Sequence, residues 1–381
     1  MSVREPTVWA MEPHTKAKHE ILSYYLKGWL TILANFHRRL LYVDGFAGPG
    51  EYTGGEDGSP IVALKVALEP VLRNKLQRVG TELVFIFIEK DPDRYQNLRE
   101  RLDDLQLPPN FQIVTYCNSF AEVFDQVLRK IEEQDKSLAP SFVFIDPFGP
   151  TGFPMSLMSR LAQQPRSEVL ISFQYQSLNR WFLQNPQKHG HLIDLFGDER
   201  FQQALDIENA TEKETFLRES YRKALEEVGW KKVHLFRMVN KHNQTQYYLL
   251  FATSHWRGSL LMKQAMWHAA PEGDFEYSDV TDPYPKLFEL SRDEEYSNEL
   301  ATRLYNAHAG QTVSKEDLLQ NDVAWDDVCI ERHLTQALRI LEYERKPPQI
   351  LGVKTPSGKK RRQRTYPGES LITFAPKHGG F

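Results

Sequence analysis

From residue 15 to 36, apolar side chains recur at Ile21, Leu22, Tyr25, Leu26, Trp29 and Leu33. That three-to-four spacing predicts a helix with one buried face. A different pattern starts at Leu40. Residues 40–43 are a short, unbroken apolar run that ends on Asp44 and runs into a glycine-rich stretch. Similar runs follow at 83–88 (ending on Glu89) and 142–145 (ending on Asp146), and strands are also expected at 111–116 and 169–173. Helical patterns separate them, starting at Ser59-Pro60 and covering about 91–105 and 120–134. Short strands that are apolar on both faces and alternate with helices predict a parallel sheet covered on both sides, a Rossmann-like α/β domain.

The pattern changes after residue 178. A helical segment at 211–228 is followed by apolar runs at 233–240 and 246–253, joined by Lys241-His242-Asn243. This predicts a terminal antiparallel hairpin. An acidic, turn-rich stretch then leads to three helical segments, at about 298–308, 315–319 and 331–346. Two short strands, 350–353 and 370–374, flank a long basic turn. Three helices and a β-hairpin make the layout of a winged helix-turn-helix. The expected organisation is a sheet domain over 1–270, an acidic linker over 271–295 and a winged domain over 296–381.

Charge sharpens this division. The whole chain of 381 residues carries −4, which argues against a general polycation. From residue 330 onward, however, 11 basic residues face 4 acidic ones, a local +7 that leaves −11 on the preceding 329 residues. A basic tail on an acidic body points to a polyanion partner for the tail. With only two cysteines, Cys117 and Cys329, a disulfide framework is excluded and a reducing cytoplasmic setting is expected. No apolar run approaches the roughly 18 residues of a membrane span.

Two motifs carry candidate chemistry. Asp44-Gly45-Phe46-Ala47-Gly48-Pro49-Gly50 sits where the first strand ends, the position at which open parallel sheets bind ligands. Glycines there let the backbone turn tightly and approach a ligand, although a plain glycine turn would share that composition. Glu89, ending the second strand, is placed to accept hydrogen bonds from ribose hydroxyls or to serve a helix N-terminus. Asn118 and Ser119 end the third strand, where an adenine ring or a helix cap fits equally well. The second motif is Asp146-Pro147-Phe148-Gly149, after the fourth strand. Acceptors on Asp146 and Pro147 suit the orientation of an exocyclic amine, and Phe148 offers a face for stacking a base.

The first motif resembles the Asp-x-Phe-x-Gly-x-Gly loop of S-adenosylmethionine-dependent methyltransferases that act on nucleic-acid amino groups. The second resembles their Asp-Pro-Pro-Tyr element, and is closer to the Asp-Pro-Phe-Gly form of enzymes methylating guanine amines in transfer RNA. With residues 18–29, 42–50, Gly58-Ser59-Pro60, 144–149, 247–258 and Met262, the chain resembles the three-Cys-motif partner (TcmP) family. That resemblance implies a class I methyltransferase-like fold and a partner protein with three cysteines, encoded nearby. It also implies S-adenosylmethionine as cofactor, held by Asp44, Gly45, Phe46, Ala47, Gly48, Gly50, Glu89, Asn118 and Ser119. Asp146, Pro147 and Phe148 would act on a base of DNA or RNA, unless the chain is a non-catalytic adaptor that keeps the fold.

The basic turn adds a second candidate interface. Lys354, Lys359, Lys360, Arg361, Arg362 and Arg364 lie in a stretch without an acid, as expected of a wing that follows phosphates. Arg332, His333, Gln336 and Arg339 on the preceding helix would face a groove. Lys18 and His19 open the first helix, either at the cofactor mouth or in solvent. Trp181, Trp230, Trp256 and Trp267 are read as core or interface.

Overall fold

The computed structural model describes residues 7–270, 275–279, 292–356, 358 and 361–377. These residues divide into two compact units. The first runs to His255 and regains the strand Glu276–Ser278, and the second begins at Trp256.

The first unit is built on an eight-stranded sheet of order β3-β2-β1-β4-β5-β7-β6-β8. Its strands are β1 (Arg39–Asp44), β2 (Glu82–Glu89), β3 (Phe111–Cys117), β4 (Ser141–Ile145), β5 (Ser167–Phe173), β6 (Lys232–Val239), β7 (Thr245–Thr253) and β8 (Glu276–Ser278). The first five are mutually parallel. β7 pairs antiparallel with β5 and with β6, giving the expected hairpin. β8, which the sequence reading left inside an acidic linker, pairs parallel with β6. The rest of that linker lies largely outside the described residues.

Helices cover both faces. On one side α1 (Pro13–Leu33) packs on aromatic side chains of the sheet, with α2 (Ser59–Leu68) and α3 (Pro70–Val79) beside it. Tyr25 of α1 sits 4.9 Å from the ring of Phe142 and 5.0 Å from that of Phe251. α4 (Pro92–Asp103) links β2 to β3. On the opposite face lie α5 (Phe120–Glu133), α6 (Met155–Ala162), α8 (His189–Phe196) and α9 (Ala210–Glu227), around Phe124, Met158, Phe196 and Tyr221. A three-residue turn, α7 (Tyr175–Ser177), leads into a π-helical turn, Leu178–Phe182.

The strands of the parallel core are fully buried along β4 and β5, which is why they read as continuous apolar runs rather than alternating ones. α3, α6 and α8 are too short for their periodicity to stand out in the sequence, and the pattern missed them. α2 starts at Ser59 as expected, with Gly58 in the cap position and Ser59 buried as the first helical residue.

The second unit contains α10 (Trp256–Ala269), α11 (Arg292–His308), α12 (Lys315–Leu318) and α13 (Glu331–Arg339). Its sheet has the order β10-β11-β9, from β9 (Thr312–Ser314), β10 (Ile350–Lys354) and β11 (Leu371–Phe374), all antiparallel. Leu300, Leu304, Leu334, Leu338 and Ile372 form its core. Lys263 of α10 is completely buried and donates to the carbonyls of Val323, Asp326 and Cys329 at 2.6, 2.9 and 2.6 Å. Three N–H groups thus meet three carbonyls, which fixes the loop that leads into α13. Cys117 is exposed, Cys329 is buried, and both are free thiols.

Candidate functional site

β1 ends in Asp44, and the chain then crosses the end of β2. The Ala47 amide donates to the Ile88 carbonyl at 2.9 Å, and the Gly48 amide to Glu89 Oε2 at 2.9 Å. Gly48 and Gly50 have φ of 64° and 83°, where a side chain would add strain of about 1–3 kcal/mol. Gly45 sits under Phe120: a Cβ there would lie 2.6 Å from the ring. Phe46 packs against Phe120 and Phe153 at centroid distances of 6.1 and 6.4 Å.

Asp44 is fully buried beneath this loop. Its Oδ1 accepts from the Phe46 amide at 3.2 Å, and Oδ2 has no hydrogen bond of good geometry. Burial pushes its carboxyl up to about 7, against the opposing pull of the Ser59 hydroxyl and the Phe46 amide.

β4 is the neighbour of β1, so its end opens into the same space. Asp146 is partly exposed there, Pro147 is buried, and Phe148 is 63% exposed. The partner of Asp146 comes from α1: Lys18 Nζ forms an ion pair with Asp146 Oδ2. Lys18 is buried and lies 5.3 Å from the centre of the Tyr247 ring. The sequence left Lys18 open between a site and a solvated helix start, and the structure puts it in the site. Its neighbour His19 faces inward, where burial, with the Lys18 charge adding to it, pushes the imidazole down to about 4.

A cavity of about 260 Å³ opens between the two loops. Phe46, Ala47, Gly48 and Gly50 form one wall, and Asp146, Pro147 and Phe148 another. Lys18, Trp9, Tyr52, Gln174, Gln246 and Tyr247 contribute to the rest. Trp9 shields the mouth, edge-on to Phe148 at 5.2 Å and to Tyr52 at 5.9 Å. Arg94 lies over both Trp9 and Phe148, at 5.0 and 4.8 Å.

The remaining predicted cofactor residues lie off the cavity wall. Asp44 and Gly45 support the loop from below. Glu89 accepts from the Gly48 amide at 2.9 Å and the Asp91 amide at 2.8 Å, so its visible work is to tie the loop to the start of α4. Asn118 is exposed and bonds the Ser119 amide at 2.7 Å, while Ser119 caps α5 through the Glu122 amide. No group of His, Cys, Asp or Glu suited to a metal ion occurs among the described residues.

The second candidate interface is more divided. Lys359 and Lys360 lie outside the described residues. Arg361 points inward, against the expectation of a phosphate contact. It pairs with Glu342, donates to the Thr365 carbonyl at 2.9 Å and covers the Tyr366 ring at 5.0 Å. Arg362 and Arg364 are exposed. On α13, His333 is buried against Asp293 at 2.8 Å, and Arg332 pairs with the same carboxylate. Of the expected groove-facing set, Gln336 and Arg339 are half-buried.

No family model matches the chain, and a search of curated proteins found no match. Several solved structures show a partial likeness. Protein LPL1258 of Legionella pneumophila is 14% identical, with a TM-score of 0.38 over 66% of this chain and 92% of that one. Human methyltransferase-like protein 13, solved in complex with SAH, is 10% identical with a TM-score of 0.33, over 72% and 97%. A precorrin-6y C5,15-methyltransferase of Geobacter metallireducens is 12% identical with a TM-score of 0.29, over 66% and 100%. The α/β fold with a mostly parallel central sheet rests on the strand order itself, and scores this low add no argument to it. No helix among the described residues is long and apolar enough to cross a membrane.

Proposed function

We propose that the first unit is an S-adenosylmethionine-dependent methyltransferase acting on an exocyclic amino group of a nucleic-acid base. One observation carries this reading: the loops after two adjacent strands, 44–50 and 146–149, wall a single cavity. Ligand sites of open α/β sheets lie at such carboxyl ends.

The residues present fit the cofactor. One wall of the cavity is the backbone of Ala47, Gly48 and Gly50, and the positive φ of both glycines keeps that cradle free of side chains. Trp9 and Tyr52 offer apolar faces, and the Lys18 ammonium offers a cation for a carboxylate. When bound, the cofactor supplies an electrophilic methyl group on a sulfonium. The chain supplies position. Asp146 Oδ1 and the Pro147 carbonyl accept from a target amine and aim its lone pair, Phe148 stacks the base, and Trp9 limits water entry. No strong base is needed, because the methylated amine loses its proton afterwards.

The second unit, read as a winged helix-turn-helix, would hold nucleic acid through Arg362, Arg364 and the Lys359-Lys360 pair. A three-Cys-motif protein is the proposed partner. The Lys18–Asp146 pair favours a second reading, an adaptor that keeps the fold without transferring a methyl group, because Lys18 occupies one acceptor of Asp146.

Calorimetry with S-adenosylmethionine, then methyl transfer to pooled DNA and RNA with and without the partner, separates the two readings. Absence of binding heat with the unmodified protein ends the enzyme reading. Transfer that survives Asp146→Ala overturns the assignment of the acceptor.

A further inference from the structure

Gln174 lines the cavity, and the chain leaves it through α7 and the π-helical turn. From residue 169 to 193 there is no Asp or Glu. With 51 acids in 381 residues, about three would be expected in a stretch of that length. The same stretch carries Arg180, Lys188, His189 and His191. Arg180 is exposed and makes no ion pair among the described residues. This is a local absence of negative charge within a unit whose overall balance is acidic.

The turn is also anchored to the core and carries an aromatic face. Leu178 and Leu183 are completely buried, and His189 Nε2 bonds the Leu183 carbonyl at 2.9 Å. Lys188 Nζ lies 4.5 Å from the centre of the Phe182 ring. These anchors hold Trp181 outward with 60% of its surface exposed. Trp181 was expected in a core or interface, and it is not in this core. The turn also neighbours the second motif: a Cβ on Gly149 would lie 3.6 Å from Ser177 Oγ. The helical path advances seven residues from Gln174 to Trp181, about 10 Å, the length of about three stacked nucleotides.

From this placement we infer that Trp181, Arg180 and Lys188 form a binding track for single-stranded nucleic acid that leads into the cavity. Base–aromatic stacking beside cations is how such strands are held without sequence preference. A strand on this track would stack on Trp181, lay phosphates against Arg180 and Lys188, and present the next bases to Phe148. The track deepens the proposed function and rests on it for the identity of the acceptor, but it places the strand on the first unit rather than on the basic turn of the second.

The test is fluorescence anisotropy of a labelled 20-nucleotide oligo-dT, and of its RNA counterpart, with the full chain. Trp181→Ala weakens binding between about 5- and 150-fold, and Trp181→Phe recovers most of the loss. Arg180→Ala and Lys188→Ala each lower the slope of log affinity against log salt by about 0.7. Trp181 and Arg180 are exposed and Lys188 is half-buried, so folding is expected to persist, and unchanged S-adenosylmethionine binding by Trp181→Ala checks it. Equal affinity of the unmodified protein and Trp181→Ala overturns the track, as does failure of the unmodified protein to bind either strand. Strand binding through Trp181 in a protein that does not bind S-adenosylmethionine keeps the track and removes the methyltransferase reading instead.

Discussion

Lys18 of the first unit and Lys263 of the second are both buried, and the two are used in opposite ways. Lys263 of the second unit gives each of its three N–H groups to a backbone carbonyl. Lys18 of the first unit pairs with one side-chain carboxylate and borders a cavity. Burial alone therefore does not mark a functional lysine. A cation whose donors are all committed to backbone is a structural tie, because any ligand would have to displace several bonds at once. A cation held by a single partner at a cavity wall can exchange that partner at modest cost.

The comparison can be broken most forcefully through stability. Lys263→Met leaves three carbonyls without their donors, so the second unit should lose about 3–5 kcal/mol in chemical denaturation. Lys18→Met keeps the aliphatic stem, and Asp146 remains within reach of solvent. It should change stability by about 1 kcal/mol or less while lowering S-adenosylmethionine affinity about tenfold. Equal destabilisation by the two variants would erase the distinction.

A second effect concerns buried acids rather than cations. Glu168 on β5 accepts from Tyr25 Oη at 2.5 Å and Thr253 Oγ1 at 2.7 Å. Burial pushes its carboxyl up to about 7 despite these bonds. A folded-state value above the unfolded one means that the folded chain binds the extra proton. This contribution is complete below about pH 4.5 and is lost as pH rises through 7. Glu168→Gln should remove up to about 3 kcal/mol of that decline, seen as a flatter melting temperature between pH 5 and 7. An unchanged pH profile would show that Glu168 is ionised in the fold.

The smallest effect separates two neighbouring arginines. Arg361→Ala should cost the second unit about 1–2 kcal/mol through loss of the Glu342 pair and the Tyr366 face, with no change in the salt dependence of nucleic-acid binding. Arg362→Ala should leave stability within about 0.5 kcal/mol and reduce the salt slope. The reverse outcome would mean that the basic turn is oriented differently in solution.

Much of the fold was legible because its signals are local. Four of the five parallel strands are mostly apolar runs, the exception being the edge strand β3 with its Gln112 and Thr115, and the two motifs fall directly at strand ends. Lys18 was legible in principle: 18, 22, 25 and 29 form the buried stripe of α1, so a lysine there stands in a core-facing register. Lys263 occupies the same kind of register among Ser259, Met262 and Met266 of α10. What that register cannot say is whether the cation finds carbonyls or a cavity. Likewise 276–278 reads as part of an acidic linker, since a three-residue strand has too few positions to show a period. Arg361 and Arg362 are indistinguishable as letters, and only the side on which Glu342 lies separates them.

The sequence alone determined the alternation of strands and helices, the glycine turns and the acids at strand ends, because each depends on residues close together in the chain. Tertiary structure decided which of those residues share a cavity, which buried cation is committed to backbone, and which turn lies beside the second motif. Those outcomes depend on partners as far apart as Lys18 and Asp146, which meet only once β1 and β4 are paired and α1 is laid across them.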